Sequence, residues 1–160
     1  MNTPPIKVLF VCVKKGVRAA IAKAIVEQQS NGMIQATCSG FEPGETPQAI
    51  LDELSNLFDV PIQTESKTIF EHKKTNENFD YVITLCDQIS NEQCNLFVEC
   101  VNVVCSRIPN RLRWSIPNLG AALELSGNDR TIFIKEVVDQ ITFEVGQLVA
   151  STPIKSQGTE

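Results

Sequence analysis

Apolar positions in this chain fall into two kinds of pattern. Some form short unbroken runs, and others recur every three or four residues, as expected of buried strands alternating with amphipathic helices. The run Val8 to Val11 is a strand ending on Cys12, after which Val17, Ile21, Ile25 and Gln29 step at helical spacing until Ser30-Asn31-Gly32 stops them. Met33 to Cys38 is a second strand, ended by Ser39-Gly40. Thr46 as cap and Pro47 at the first position open a helix with the core stripe Ile50, Leu54, Leu57, Phe58. Ser66 to Lys73 fits a short helix, and Phe79 to Leu85 is a buried strand that delivers Cys86 to its carboxyl end. Asp87 to Gln93 makes a polar loop or short helix closed by Cys94, and Val101 to Cys105 is a β-branched run that fits one arm of an inserted hairpin. Leu112 to Ile116 is the last strand, followed by Pro117-Asn118-Leu119-Gly120. Asn128-Asp129 caps a long helix with the stripe Ile134, Val137, Val138, Ile141, Val145, Leu148. Strands alternating with helices imply an α/β fold with a small parallel sheet covered on both faces. Residues 1–150 read as a single domain, and the polar, aperiodic stretch 151–160 as a disordered tail.

The chemistry concentrates where the first strand meets the first helix. Cys12 leads into Val13, Lys14, Lys15, Gly16 and Val17, and Arg18 opens the helix. Backbone amides curling above the sulfur, backed by the positive end of the helix, form an oxyanion cradle. No Ser, Thr, Asp or Asn stands in capping position, so the first amides of the helix are free to face a ligand. Arg18 can grip two oxygens of a phosphate-like group with its planar fork. A thiol placed there has its pKa lowered from about 8.5 to roughly 3.5–7.5, so Cys12 is expected to be a thiolate at neutral pH. The bland alternative is a buried strand cysteine beside a solvated basic turn. Cys105 and Arg111 repeat the same spacing, but Pro109, the lack of glycine and the absence of a following helix mark that stretch as a loop between strands. Ligands of open α/β sheets bind outside the carboxyl ends of the strands, so Cys12 and Cys86 are expected on the same edge of the sheet.

Composition narrows the setting. With 160 residues, 42% hydrophobic and 21% charged, the chain is an ordinary globular one. A formal charge of −5 argues against nucleic acid or an anionic membrane as partner. The absence of a long apolar run and of a signal-like start points to the cytoplasm. Six cysteines without CxxC pairing and a single histidine make a structural zinc site improbable, and no metal is expected. Cys38, Cys100 and Cys105 lie in apolar settings and read as core residues, and His72 as a solvated loop residue.

Together, Val8-Leu9-Phe10-Val11-Cys12 with Arg18, Cys38-Ser39-Gly40, Pro47-Gln48-Ala49-Ile50 and Asp80-Tyr81-Val82-Ile83-Thr84-Leu85-Cys86 resemble the low-molecular-weight protein tyrosine phosphatase superfamily. Cys86, Cys94, Arg113-Trp114 and the closing helix make the chain similar, within it, to the thioredoxin-coupled arsenate reductases. The resemblance covers roughly residues 6–149. It implies a four-stranded parallel sheet in a Rossmann-like three-layer arrangement. It also implies a relay in which Cys12 attacks arsenate, Cys86 attacks the adduct and releases arsenite, and Cys94 resolves the disulfide for thioredoxin. No bound cofactor is implied. Lys14 and Lys15 stand where the family loop has Gly and Asn, and Ala19 where it has the Ser that bonds the nucleophile. Asn118 appears at the position of the general-acid Asp, and losing such an acid typically costs about 10²–10⁴ in rate. Lys15 and Lys23 fall where the reductases place potassium ligands, which suggests a lysine ammonium in place of the cation.

Three functions stay open on these residues. The first is a thiol-based arsenate reductase acting on a small oxyanion with thioredoxin as reductant. The second is a phosphatase acting on phosphotyrosine or small phosphate esters. The third is a catalytically impaired pseudoenzyme whose 12–18 loop binds an oxyanion or a phosphorylated partner.

Overall fold

The computed structural model describes residues 5–14, 17–42, 47–58, 67–74, 78–87 and 94–152. Strands β1 (Ile6–Lys14), β2 (Ile34–Glu42), β3 (Lys67–Thr68), β4 (Tyr81–Cys86) and β5 (Asn110–Ser115) alternate with helices α1 (Val17–Gln29), α2 (Gln48–Phe58), α3 (Ile69–Lys74), α4 (Cys94–Val104) and α5 (Gly127–Ser151). A 3-10 turn, Leu119–Glu124, precedes α5. The sheet is parallel throughout, in the order β3-β2-β1-β4-β5. Its body is the four strands expected. The two-residue β3 adds a short fifth along β2, where Ser39 pairs with Lys67 and Gly40 with Thr68.

Alternation along the central strands divides the core in two. On β1, Val8, Phe10 and Cys12 face one cluster while Leu9 and Val11 face the other. The first cluster is closed by Ile21 and Ile25 of α1, Ile50 and Leu54 of α2, and Ile134, Val137, Ile141, Val145 and Leu148 of α5. Ile69 of α3 and Phe97 and Val101 of α4 close the second. A sheet buried on both faces explains why β1 and β4 read as continuous apolar runs rather than alternating ones. Trp114 is the one buried residue of edge strand β5, and its ring meets that of Phe10 at a centroid distance of 5.5 Å. Exposed Arg111 and Arg113 on the same strand discourage pairing with another sheet edge.

The end of α1 follows its sequence signal. Asn31 (φ 53°) and Gly32 (φ 80°) both adopt left-handed backbone, and the Gly32 amide donates to the Glu27 carbonyl at 3.1 Å. Other expectations change. Residues 101–105 are not a strand: they end α4, whose buried positions Cys94, Phe97 and Val101 are three and four apart, so helical spacing outweighed the β-branched content. The stretch after Cys105 therefore joins a helix to a strand. The second strand runs on through Ser39-Gly40 to Glu42, because β3 supplies hydrogen-bond partners there. Ser126, not Asn128, is the N-cap residue of α5. Leu57 is exposed and Cys100 only half-buried, while Cys38 and Cys105 are core residues as expected. His72 belongs to α3 rather than to a loop. The predicted cap Thr46 and residues 153–160 of the expected tail lie outside the described residues, while Ser151 is the last residue of α5. Among the described residues, no helix is long and apolar enough to cross a membrane.

Candidate active site

The strand order places the chain reversal between β1 and β4. Two neighbouring strands whose connections leave in opposite directions open a crevice at their carboxyl ends, where α/β folds bind ligands. Cys12 ends up there on β1, paired in register with Leu85 of β4, and Cys86 is the next residue along. The sequence expectation of a common edge therefore holds. The two sulfurs, however, serve different faces: Cys12 packs with Phe10 and Leu85, and Cys86 with Val11 and Phe97. That separation follows from the single-residue offset between them.

Cys12 is buried, and the backbone amide of Ala19 donates to its sulfur at 3.1 Å. Ala19 lies in the first turn of α1, so one of the uncapped amides at the positive helix end is aimed at the thiol. This donor was not foreseen from the sequence, where only the missing side-chain hydroxyl at position 19 was visible; the backbone supplies a donor to the sulfur. Arg18 is buried as well, with Nη1 donating to the Ile116 carbonyl at 3.0 Å. The guanidinium is thereby anchored to the chain leaving β5. Of the remaining cradle residues, Val13 is half-buried and Val17 buried. Lys14 is the last residue of β1, and Lys15 and Gly16 lie outside the described residues.

Cys86 and Cys94 are joined by a disulfide, with their Cα atoms 5.9 Å apart. The bond ties the carboxyl end of β4 to the first turn of α4, and both residues are buried. Asn118 is the N-cap of the 3-10 turn: its Oδ1 accepts from the Gly120 amide at 2.9 Å. Its own backbone amide donates to Asp87 Oδ2 at 3.1 Å. The Ile116 amide donates to the Cys86 carbonyl at 3.3 Å, so β4 and β5 stay paired up to the point where both chains enter this region.

Cys38 lies on β2, in the core cluster that also holds Cys12. Burial pushes its thiol from 9.0 up to about 12; the nearby charges of Cys12 and Glu27 add to the rise, and Lys23 opposes it. Lys23 Nζ pairs with Glu27 at 3.1 Å, and Glu27 Oε2 also accepts from the Ala36 amide at 3.2 Å. Lys15, the other residue at the expected cation position, lies outside the described residues.

Comparison with known proteins agrees with this geometry. The family model described as low molecular weight phosphotyrosine protein phosphatase matches residues 7–157. No curated protein matches the chain. Among solved structures, an arsenate reductase in the phosphate binding state superposes with a TM-score of 0.62 at 18% identity, over 91% of this chain and 97% of the other. The arsenate reductase from Archaeoglobus fulgidus DSM 4304 gives 0.61 at 20% identity, over 90% and 99%. The Erwinia amylovora tyrosine phosphatase AmsI gives 0.62 at 11% identity, over 96% and 97%. At such identities the structures establish the shared fold, while the family model spans nearly the whole sequence: the chain belongs to the low molecular weight phosphotyrosine protein phosphatase family.

Proposed function

We propose that this protein is a thiol-based arsenate reductase in which Cys12 is the nucleophile and Cys86 and Cys94 form the redox relay. The observation that carries this reading is the Cys86–Cys94 disulfide, one strand over from the Cys12 thiol. The Cys12 thiolate attacks arsenic and an oxygen leaves as water, giving a sulfur–arsenic bond. The Cys86 thiolate then attacks the Cys12 sulfur, and the electron pair of the broken bond departs with arsenite. Attack by Cys94 on Cys86 frees Cys12 and leaves the Cys86–Cys94 disulfide, which a dithiol such as thioredoxin reduces. Similarity in fold to arsenate reductases supports the same reading. The test is steady-state arsenate reduction with thioredoxin, thioredoxin reductase and NADPH. Wild-type turnover that disappears in Cys12→Ser, Cys86→Ser and Cys94→Ser supports it, and turnover indifferent to Cys94 overturns it.

A phosphatase is the second reading, favoured by one specific observation. Cys86 packs on the opposite face of the sheet from Cys12, so a relay requires the carboxyl end of β4 to reorient, whereas phosphate-ester hydrolysis at Cys12 and Arg18 does not. In that case Cys94→Ser leaves hydrolysis intact and Cys12→Ser abolishes it.

A further inference from the structure

Attack of Cys12 on an oxyanion leaves a negative oxygen that needs a proton, and neither Arg18 nor a backbone amide can give one up at neutral pH. Asn118 offers an amide, already engaged with the Gly120 backbone. The neighbouring carboxylate is different. Asp87 follows Cys86 at the carboxyl end of β4, and its Oδ2 accepts from the Asn118 amide at 3.1 Å. Leu85 of β4 is paired in register with Cys12, and Asp87 stands two residues beyond it, just past the carboxyl end of the strand. Two residues before Asn118, the Ile116 carbonyl holds the Arg18 guanidinium. One short segment, 116–118, thus holds both the oxyanion-gripping arginine and the Asp87 carboxyl.

We propose that Asp87 is the general acid of this site, giving its proton to the oxygen that leaves when Cys12 attacks. The proposal rests on Cys12 being the nucleophile and applies to a phosphate ester as it does to arsenate. With an ester, the sulfur–phosphorus bond forms as the phosphorus–oxygen bond breaks. The electron pair goes to the leaving oxygen, which takes the Asp87 proton. Water then attacks phosphorus while the Asp87 carboxylate accepts its proton, and Cys12 departs as the thiolate with the pair of the sulfur–phosphorus bond. Atoms, charge and protons balance without an outside reductant.

The experiment compares hydrolysis of phenyl phosphate, whose leaving group needs a proton, with that of 2,4-dinitrophenyl phosphate, whose leaving group does not. Asp87→Asn keeps an oxygen to accept from the Asn118 amide, so the segment remains tethered. The expected result is a loss of about 10²–10⁴ in kcat with phenyl phosphate and a far smaller loss with the dinitrophenyl ester. The dinitrophenyl ester also reports that the variant is folded. Equal losses on the two esters, or none on either, overturn the role of Asp87. A wild-type protein that hydrolyses neither ester overturns the role of Asp87 in ester cleavage, while the nucleophile Cys12 stands or falls separately on the arsenate reduction assay.

Discussion

The amide of Ala19 points at the sulfur of Cys12, 3.1 Å away, across the turn between strand and helix. An N–H donor at a helix N-terminus favours the anionic form of a thiol, so the site can activate its cysteine without a hydroxyl side chain. Iodoacetamide alkylation followed by peptide mass spectrometry should therefore label Cys12 in the native protein. Saturating phosphate or arsenate should slow that labelling. In Arg18→Ala the protection should be lost, because the bidentate grip on the anion goes with the guanidinium. Unprotected labelling in the wild type would count against an oxyanion site.

On the proposed relay, the disulfide separates two stages of the reaction. Cys94→Ser should still form one equivalent of arsenite in a single turnover, since Cys12 and Cys86 suffice for its release, but should not cycle with thioredoxin. Quenched-flow arsenite measurement beside the steady-state assay would distinguish the two. Equal burst and steady-state rates in the variant would remove Cys94 from the relay.

Cys38 predicts a change of stability in alkaline solution. Its folded-state pKa is raised from 9.0 to about 12, chiefly by burial, so the folded protein binds this proton more tightly than the unfolded chain does. The resulting stabilisation is complete below pH 9.0 and fades as the pH climbs toward about 12. Urea midpoints measured at about pH 8 and about pH 10.5 should fall more in the wild type than in Cys38→Ala, where nothing at this position titrates. An identical fall in both would refute it.

Helix α5 offers a packing test. Ile141 is fully buried against the sheet while Phe143, two residues on, is 64% exposed. Ile141→Ala should cost about 2–5 kcal/mol in chemical denaturation, whereas Phe143→Ala should change stability by less than about 0.5 kcal/mol. Comparable losses at both positions would mean that the outer face of α5 is covered in solution.

Most of the scaffold was legible in the sequence because apolar runs and helical stripes report burial directly. Val8 to Val11 and the stripe from Ile134 to Leu148 fall where their pattern put them, and the strand expected over Phe79 to Leu85 is found two residues shorter at its start, from Tyr81 to Cys86. The pattern failed where two periods coincide. Val101, Val103 and Val104 look like a strand until Cys94 and Phe97 are counted with them, and then the buried set is helical. Site chemistry was legible as residue types, and the positions of Cys12 and Cys86 on one sheet edge followed from strand direction. The contacts that define the site were not, because they pair a side chain with the backbone of a residue far along the chain. Nothing local marks the Ile116 carbonyl as the partner of Arg18, 98 residues earlier, or the Asn118 amide as that of Asp87.

The division of the core by the sheet has an evolutionary consequence. Because Cys12 draws on one layer of helices and the Cys86–Cys94 bridge on the other, either sulfur site can mutate without undermining the packing that supports its counterpart. On the proposed reading, loss of the Cys86–Cys94 bridge would remove the relay while the layer that packs Cys12 keeps its own helices. The chemistry of such a chain is modular even though its fold is not.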